Sequence, residues 1–230
     1  MTSDASSRRW LWPFFLWTGL ALLALFPVMA LLDGAAPVFS AIWLIAPLVA
    51  VARSRAPERA GFRPVAARDL ARYTAINLGV LLALMAIFEP WSGVYRLLAR
   101  SAVSAPHPDT TFGWLVRFDG AAGWVGMLLY SGLVTLFAEE LFFRGWLLQA
   151  LLRRMRPAWA IVAQAACFAL PQAIATLLMP PLQGALYVVV YSWLAIGVVG
   201  GWAAARTGSI WPSLISATVC NLLLTALVLR

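Results

Sequence analysis

The chain has 230 residues, 63% of them hydrophobic and only 11% charged, with a mean hydropathy of +0.85. This excludes an ordinary soluble domain, which is roughly half apolar, and its long continuous apolar runs exclude a β-barrel of short alternating strands. The net charge of +8 reflects 17 basic residues against 9 acidic ones, all 17 arginine and all but Arg144 outside the apolar runs, so no basic domain for nucleic acid is expected.

Seven apolar segments run over approximately 10–32, 37–52, 73–90, 121–150, 157–178, 182–205 and 208–229. About 20 such residues cross a bilayer. The expected fold is all-α: a polytopic transmembrane helix bundle of about seven spans, in a single integral membrane domain over residues 1–230. The first segment is too long for the apolar region of a cleavable signal. The second is short and spans with little tilt or incompletely. Residues 96–120 form the longest connection. Ser101 to Thr111 within it, with Pro106 and Pro108, reads as a loop, and it holds the only histidine, His107, as a solvated residue. The fourth segment is longer than a span needs, so its last turns protrude. Trp10, Trp12, Trp91, Trp114 and Trp211 flank apolar runs, where indoles favour the membrane interface.

Arginine placement sets the orientation. Twelve lie before segment one or in the connections two–three, four–five and six–seven; four lie on the other side. By the positive-inside rule the N-terminus is cytoplasmic, in a multi-pass protein of the cell's inner membrane. Cys167 and Cys220 fall inside apolar runs without a CxxC pairing. They read as small buried hydrophobes, not as zinc ligands or a disulfide.

The chemistry concentrates in segment four, where residues 139 to 144 read Glu-Glu-Leu-Phe-Phe-Arg. Each such charge at a helix centre costs about 2.5 to 3.5 kcal/mol. Glu140 and Arg144 are spaced to pair across one helical turn. Glu139 is rotated about 100° away, so its carboxylate is left over as a candidate general base. A buried structural ion pair accounts for Glu140 and Arg144 but not for Glu139. Gln172 on segment five and Asn221 on segment seven stand 13 to 15 residues from the arginine-bearing ends, as do both glutamates. That is a common depth of about 20 Å. Alone, each amide would read as an interhelical hydrogen bond; together with the glutamates they read as one polar site.

EExxxR at 139–144 resembles the first motif of the CPBP family (CAAX protease and bacteriocin-processing), which includes the Ras-converting CAAX endopeptidase. Phe168 to Gln172 is similar to the family's FxxxH motif. Thr207-Gly208-Ser209-Ile210-Trp211-Pro212, followed by Asn221, is similar to its last motif. The family-like core covers about 120–229. Both motif histidines are replaced, one by Gln172 and the other by Ala217. The resemblance implies an intramembrane endopeptidase in which Glu139 activates a water. Glu140 and Asn221 would complete the catalytic set, with Arg144, Phe168 and Gln172 in support. The implied substrate is a transmembrane or lipidated peptide within the lipid bilayer. Gln172 can orient a water but cannot accept its proton, so activity is expected to be weak or lost. Zinc needs three protein ligands, and two adjacent carboxylates without imidazole do not supply them; neither metal nor other cofactor is expected. A catalytically silent protein that binds a membrane peptide is the alternative. A proton-coupled transporter would need inverted repeats, which the chain lacks.

Overall fold

The structure is a computed structural model that describes residues 43–45, 47–49, 52, 61–93, 137–176 and 179–228. Segment one, most of segment two, the 96–120 connection with His107, and the first half of segment four lie outside the described residues. Among the described residues all regular structure is helical. Helix α1 is Ala67–Ser92. Helix α2 follows residues 137–152 as three continuous pieces: Phe137–Glu139, a wide π-type stretch Glu140–Leu147, and Leu148–Leu152. Helix α3 is Pro157–Ala175. Helix α4 runs Pro181–Thr207 and is π-type over Tyr187–Val199. Helix α5 is Trp211–Val228.

Local chemistry explains the boundaries. α3 begins on Pro157 and α4 on Pro181; proline at the first helical position forfeits no bond. Gly93 and Gly208 close α1 and α4 in the left-handed conformation, at φ 60° and 66°. Their N–H groups bond the carbonyls of Glu89 and Ala204 at 2.9 and 2.8 Å, the helix-ending bond that glycine accommodates best. The apolar run begins at residue 73, which places Arg68 and Arg72 in the connection before it. The structure extends the helix back to Ala67, with Asp69 in its first turn. A carboxylate there complements the helix dipole, and both arginines remain exposed.

Two helices, Ala67–Ser92 and Pro181–Thr207, are long and apolar enough to cross a membrane, with only 17% and 28% of their apolar windows buried. A core helix of a soluble protein would be largely covered. Here Ile87 and Leu182 are exposed, a surface that suits lipid and not water. Trp91 and Trp211 are also exposed near helix ends.

The helices share one arginine-bearing end. Ile210 N–H bonds the Gly61 carbonyl at 3.0 Å, a Cβ on Gly208 would stand 2.9 Å from Arg63 Cδ, and Tyr73 meets Trp202 ring to ring at 5.2 Å. Arg63, Arg68, Arg72, Arg153, Arg154, Arg156 and Arg206 all lie exposed around the starts and ends gathered here. α4 packs most extensively on α3. Gly197 makes this possible: a Cβ there would lie 2.8 Å from that of Ala165. α1 packs along α5, where Asn77 donates to Ser216 Oγ at 2.5 Å. Cys220 is buried and lies 3.5 Å from Met85 Sδ. Cys167, expected to be buried, is exposed instead. Phe168 and Ala169 take the inward face of α3 and leave Cys167 on the outward one.

Gly61 tests this end of the bundle. It is buried at φ 78°, and a Cβ would stand 2.8 Å from Ile210 Cγ2 and 3.1 Å from the Gly145 backbone. Gly61→Ala should therefore lower the melting temperature in detergent, the left-handed backbone alone costing about 1–2 kcal/mol. Gly79→Ala, in α1 with open space around it, should melt no lower than wild type. Equal melting of the two variants would contradict the close approach.

Candidate functional site

The site begins with α2. Its wide stretch carries both Glu140 and Arg144, each buried, with only 2% and 0% of their surfaces exposed. Arg144 Nη1 lies 3.3 Å from Glu140 Oε1, the pairing that the i,i+4 spacing leads one to expect. Two more contacts hold the guanidinium. Its Nη2 donates to the Ile196 carbonyl at 2.8 Å, and its plane lies over the Phe168 ring, 4.2 Å from the centroid. Ser213 of α5 donates to the other carboxylate oxygen, Oε2 of Glu140. The buried pair thus joins four helices: α2, α3 through Phe168, α4 through Ile196, and α5 through Ser213.

Phe168 also fixes register. It packs edge-on against Phe143 at 5.2 Å as well as under Arg144. Gln172 follows it by one turn, about 6 Å along the helix, just as Glu140 precedes Arg144 by about one turn in the opposite direction. Because α2 and α3 are antiparallel neighbours, this brings Gln172 toward the level of the two glutamates. Pro171 lies inside α3 immediately before Gln172. Lacking an N–H, it cannot donate to the carbonyl four residues back, which loosens the helix at this level.

Glu139 differs from Glu140 in its surroundings. It is half-buried, as are Gln172 and Tyr187. Tyr187 O–H donates to Gln172 Oε1 at 3.1 Å. Gln172 and Tyr187 form a second polar group at the level of Glu139, and all three are less enclosed than Glu140 and Arg144. Tyr187 is absent from the sequence reading, since a lone tyrosine in an apolar run carries no signal there. Asn77 and Ser213 are likewise absent from it. An asparagine within segment three was a legible signal, because polar side chains at bilayer depth are few and functional or structural.

The last motif is only partly placed. Ser213 and Ala217 lie one turn apart on α5, with Ser213 against Glu140 and Ala217 half-buried. Asn221 continues that spacing by one further turn in the same helix, but its side chain lies outside the described residues. Among the described residues no three His, Cys, Asp or Glu side chains gather as a metal site requires.

This arrangement can neutralise one carboxylate permanently and leave the other available to water or a ligand. Residues 121–223 match the family model of the type II CAAX prenyl endopeptidase Rce1-like proteins. No curated protein and no solved structure matches the chain.

Proposed function

Through residues 121–223 this chain belongs to the CPBP family, in its Rce1-like branch, and from that premise we propose that it is an intramembrane endopeptidase homologue. In this reading it acts on a membrane-embedded or lipidated peptide, and Glu139 is the base that activates water. The observation that carries the reading is the unequal enclosure of the two glutamates. Glu140 is sealed among Arg144 and Ser213, whereas Glu139 has no such partner pair among the described residues and is less completely buried, at the level of the Tyr187–Gln172 bond. A permanently paired carboxylate is a poor base, and a half-open one can take a proton from water and pass it on.

Glu140 and Arg144 then act as the frame of the site. Their pairing holds α2 against α3, α4 and α5, and so fixes the direction in which Glu139 points. Asn221 is assigned the role of a donor to the developing oxyanion, and Gln172 orients the attacking water. The N-terminus is assigned to the cytoplasm on arginine placement, which puts the shared arginine-bearing end at the cytoplasmic face. The silent, peptide-binding alternative draws its support from Gln172 and Ala217, which stand at the two motif positions where the family has imidazoles. Losing one acid–base partner costs about 10²–10⁴ in rate.

The test is cleavage by the purified full chain in detergent, with a prenylated CAAX peptide and a transmembrane peptide as substrates. Slow cleavage that disappears in Glu139→Ala is the expected result. Cleavage that continues at the wild-type rate in Glu139→Ala would overturn the assignment of the base. Peptide binding without any cleavage would establish the silent reading.

A further inference from the structure

We propose that Tyr187 is the hydroxyl donor that receives the scissile carbonyl of the peptide, and that the side-chain amide of Gln172 occupies that place in the resting protein. The proposal rests on the endopeptidase reading above and deepens it. Its first support is the identity of the acceptor. Tyr187 O–H donates to Gln172 Oε1, the carbonyl oxygen of a carboxamide. A peptide bond presents the same group. A site in which a hydroxyl already holds an amide carbonyl beside a carboxylate has the polarity that amide hydrolysis needs.

The second support is geometry. The contact is 3.1 Å long, beyond the usual 2.7–2.8 Å of an O–H···O bond, and long bonds are the more readily exchanged. Tyr187, Gln172 and Glu139 each keep part of their surface uncovered, unlike Glu140 and Arg144. Tyr187 stands where α4 widens, at the start of the stretch Tyr187–Val199. The third support is chemical need. With Ala217 at one imidazole position, Asn221 is left as a single assigned donor to the developing oxyanion, and the phenol of Tyr187 supplies a second, neutral one.

The step balances with water as the co-reactant. Glu139 takes a proton from water as the water oxygen bonds to the carbonyl carbon. The carbonyl π electrons move onto its oxygen, which Tyr187 O–H bonds without giving up its proton. The proton on Glu139 then passes to the amide nitrogen, the C–N bond breaks, and the carbonyl re-forms as a carboxylic acid beside a free amine. A mere tether between α3 and α4 would also contain the Tyr187–Gln172 bond. It would affect stability but not discriminate between ligands by their carbonyl.

That difference defines the experiment. Two prenylated CAAX peptides are bound to the full chain in detergent. One has a ketomethylene at the cleavage position, and its twin has a methylene in place of the ketone. Wild type should prefer the ketone by about 3- to 10-fold, the range of one neutral hydrogen bond, and Tyr187→Phe should lose the preference. Gln172→Ala, which frees the hydroxyl, should keep or enlarge it. Where cleavage is measurable, Tyr187→Phe should lower kcat by about 10² or more, with KM rising by no more than the same 3- to 10-fold. A ketone preference that survives in Tyr187→Phe, or its absence from wild type, would overturn the proposal. Loss of the preference in Tyr187→Phe alongside cleavage that ignores Glu139 would retain Tyr187 and remove Glu139 as the base.

Discussion

Arg144→Ala is expected to reduce the folded yield in detergent severely, whereas Glu139→Ala leaves it near wild type. Arg144 is fully enclosed, and removing it strands Glu140 with only Ser213 donating to it among the contacts described above. Breaking a buried pair by deleting one partner costs about 3–5 kcal/mol, a large share of the roughly 5–15 kcal/mol that holds a domain together. The variant also loses the bond to the Ile196 carbonyl and the guanidinium over Phe168, so α4 and α3 lose their shared anchor. Glu139 is half-buried, and its truncation removes a charge without orphaning another. Monodisperse yield by size-exclusion chromatography, with thermal unfolding, measures both. A second comparison separates frame from chemistry. Replacing the pair together, Glu140→Leu with Arg144→Met, should recover yield, because apolar replacement of a buried pair is often neutral or stabilising. If Arg144→Ala and Glu139→Ala both match wild type, the frame role of the pair is wrong.

The ion pair was legible because two charges one helical turn apart, at bilayer depth, leave few alternatives. The helical class and the approximate course of α3, α4 and α5 were legible for a related reason. Long apolar runs end at proline or glycine, and Pro157, Pro181 and Gly208 stand at or beside the boundaries the structure gives. The start of α1 was misread because Arg68 and Arg72 look like loop charges. They are helical because Asp69 supports the first turn and both can extend outward. Cys167 was misread because composition says that cysteine is buried, while only the neighbouring Phe168, drawn inward by Arg144, decides which face turns out.

The site was legible as a set of residue types and not as a set of partners. Phe168 carried a motif resemblance without a reason; the reason is its ring beneath the guanidinium. Gln172 looked like a lost histidine, and its bond to Tyr187 joins α3 to α4 across fifteen residues of sequence. Nothing in the apolar run Tyr-Val-Val-Val marks that tyrosine as its partner. Ser213, which touches Glu140, sits one turn before Ala217, so the face of α5 that carries the last motif becomes evident only once α2 and α5 are packed.

Restoring both imidazoles should produce the largest gain in activity. Gln172→His with Ala217→His is expected to raise Glu139-dependent cleavage of a prenylated or transmembrane peptide by at least 10²-fold, since acid–base assistance alone is worth about 10²–10⁴ and one oxyanion donor about 10²–10³. The packing supports the placement. Gln172 is one turn beyond Phe168 and beside Tyr187. Ala217 is one turn beyond Ser213, which itself meets Glu140, and it is half-buried. A histidine at 172 would also displace the amide that Tyr187 now holds, freeing that hydroxyl for substrate. The decisive comparison has three arms: wild type, the double-histidine variant, and that variant carrying Glu139→Ala. The second should cleave fastest, and the third should fall to or below the first. No gain in a double variant that folds and binds peptide would mean that positions 172 and 217 do not face the bond to be cut. A gain that persists without Glu139 would mean that another group takes the proton from water.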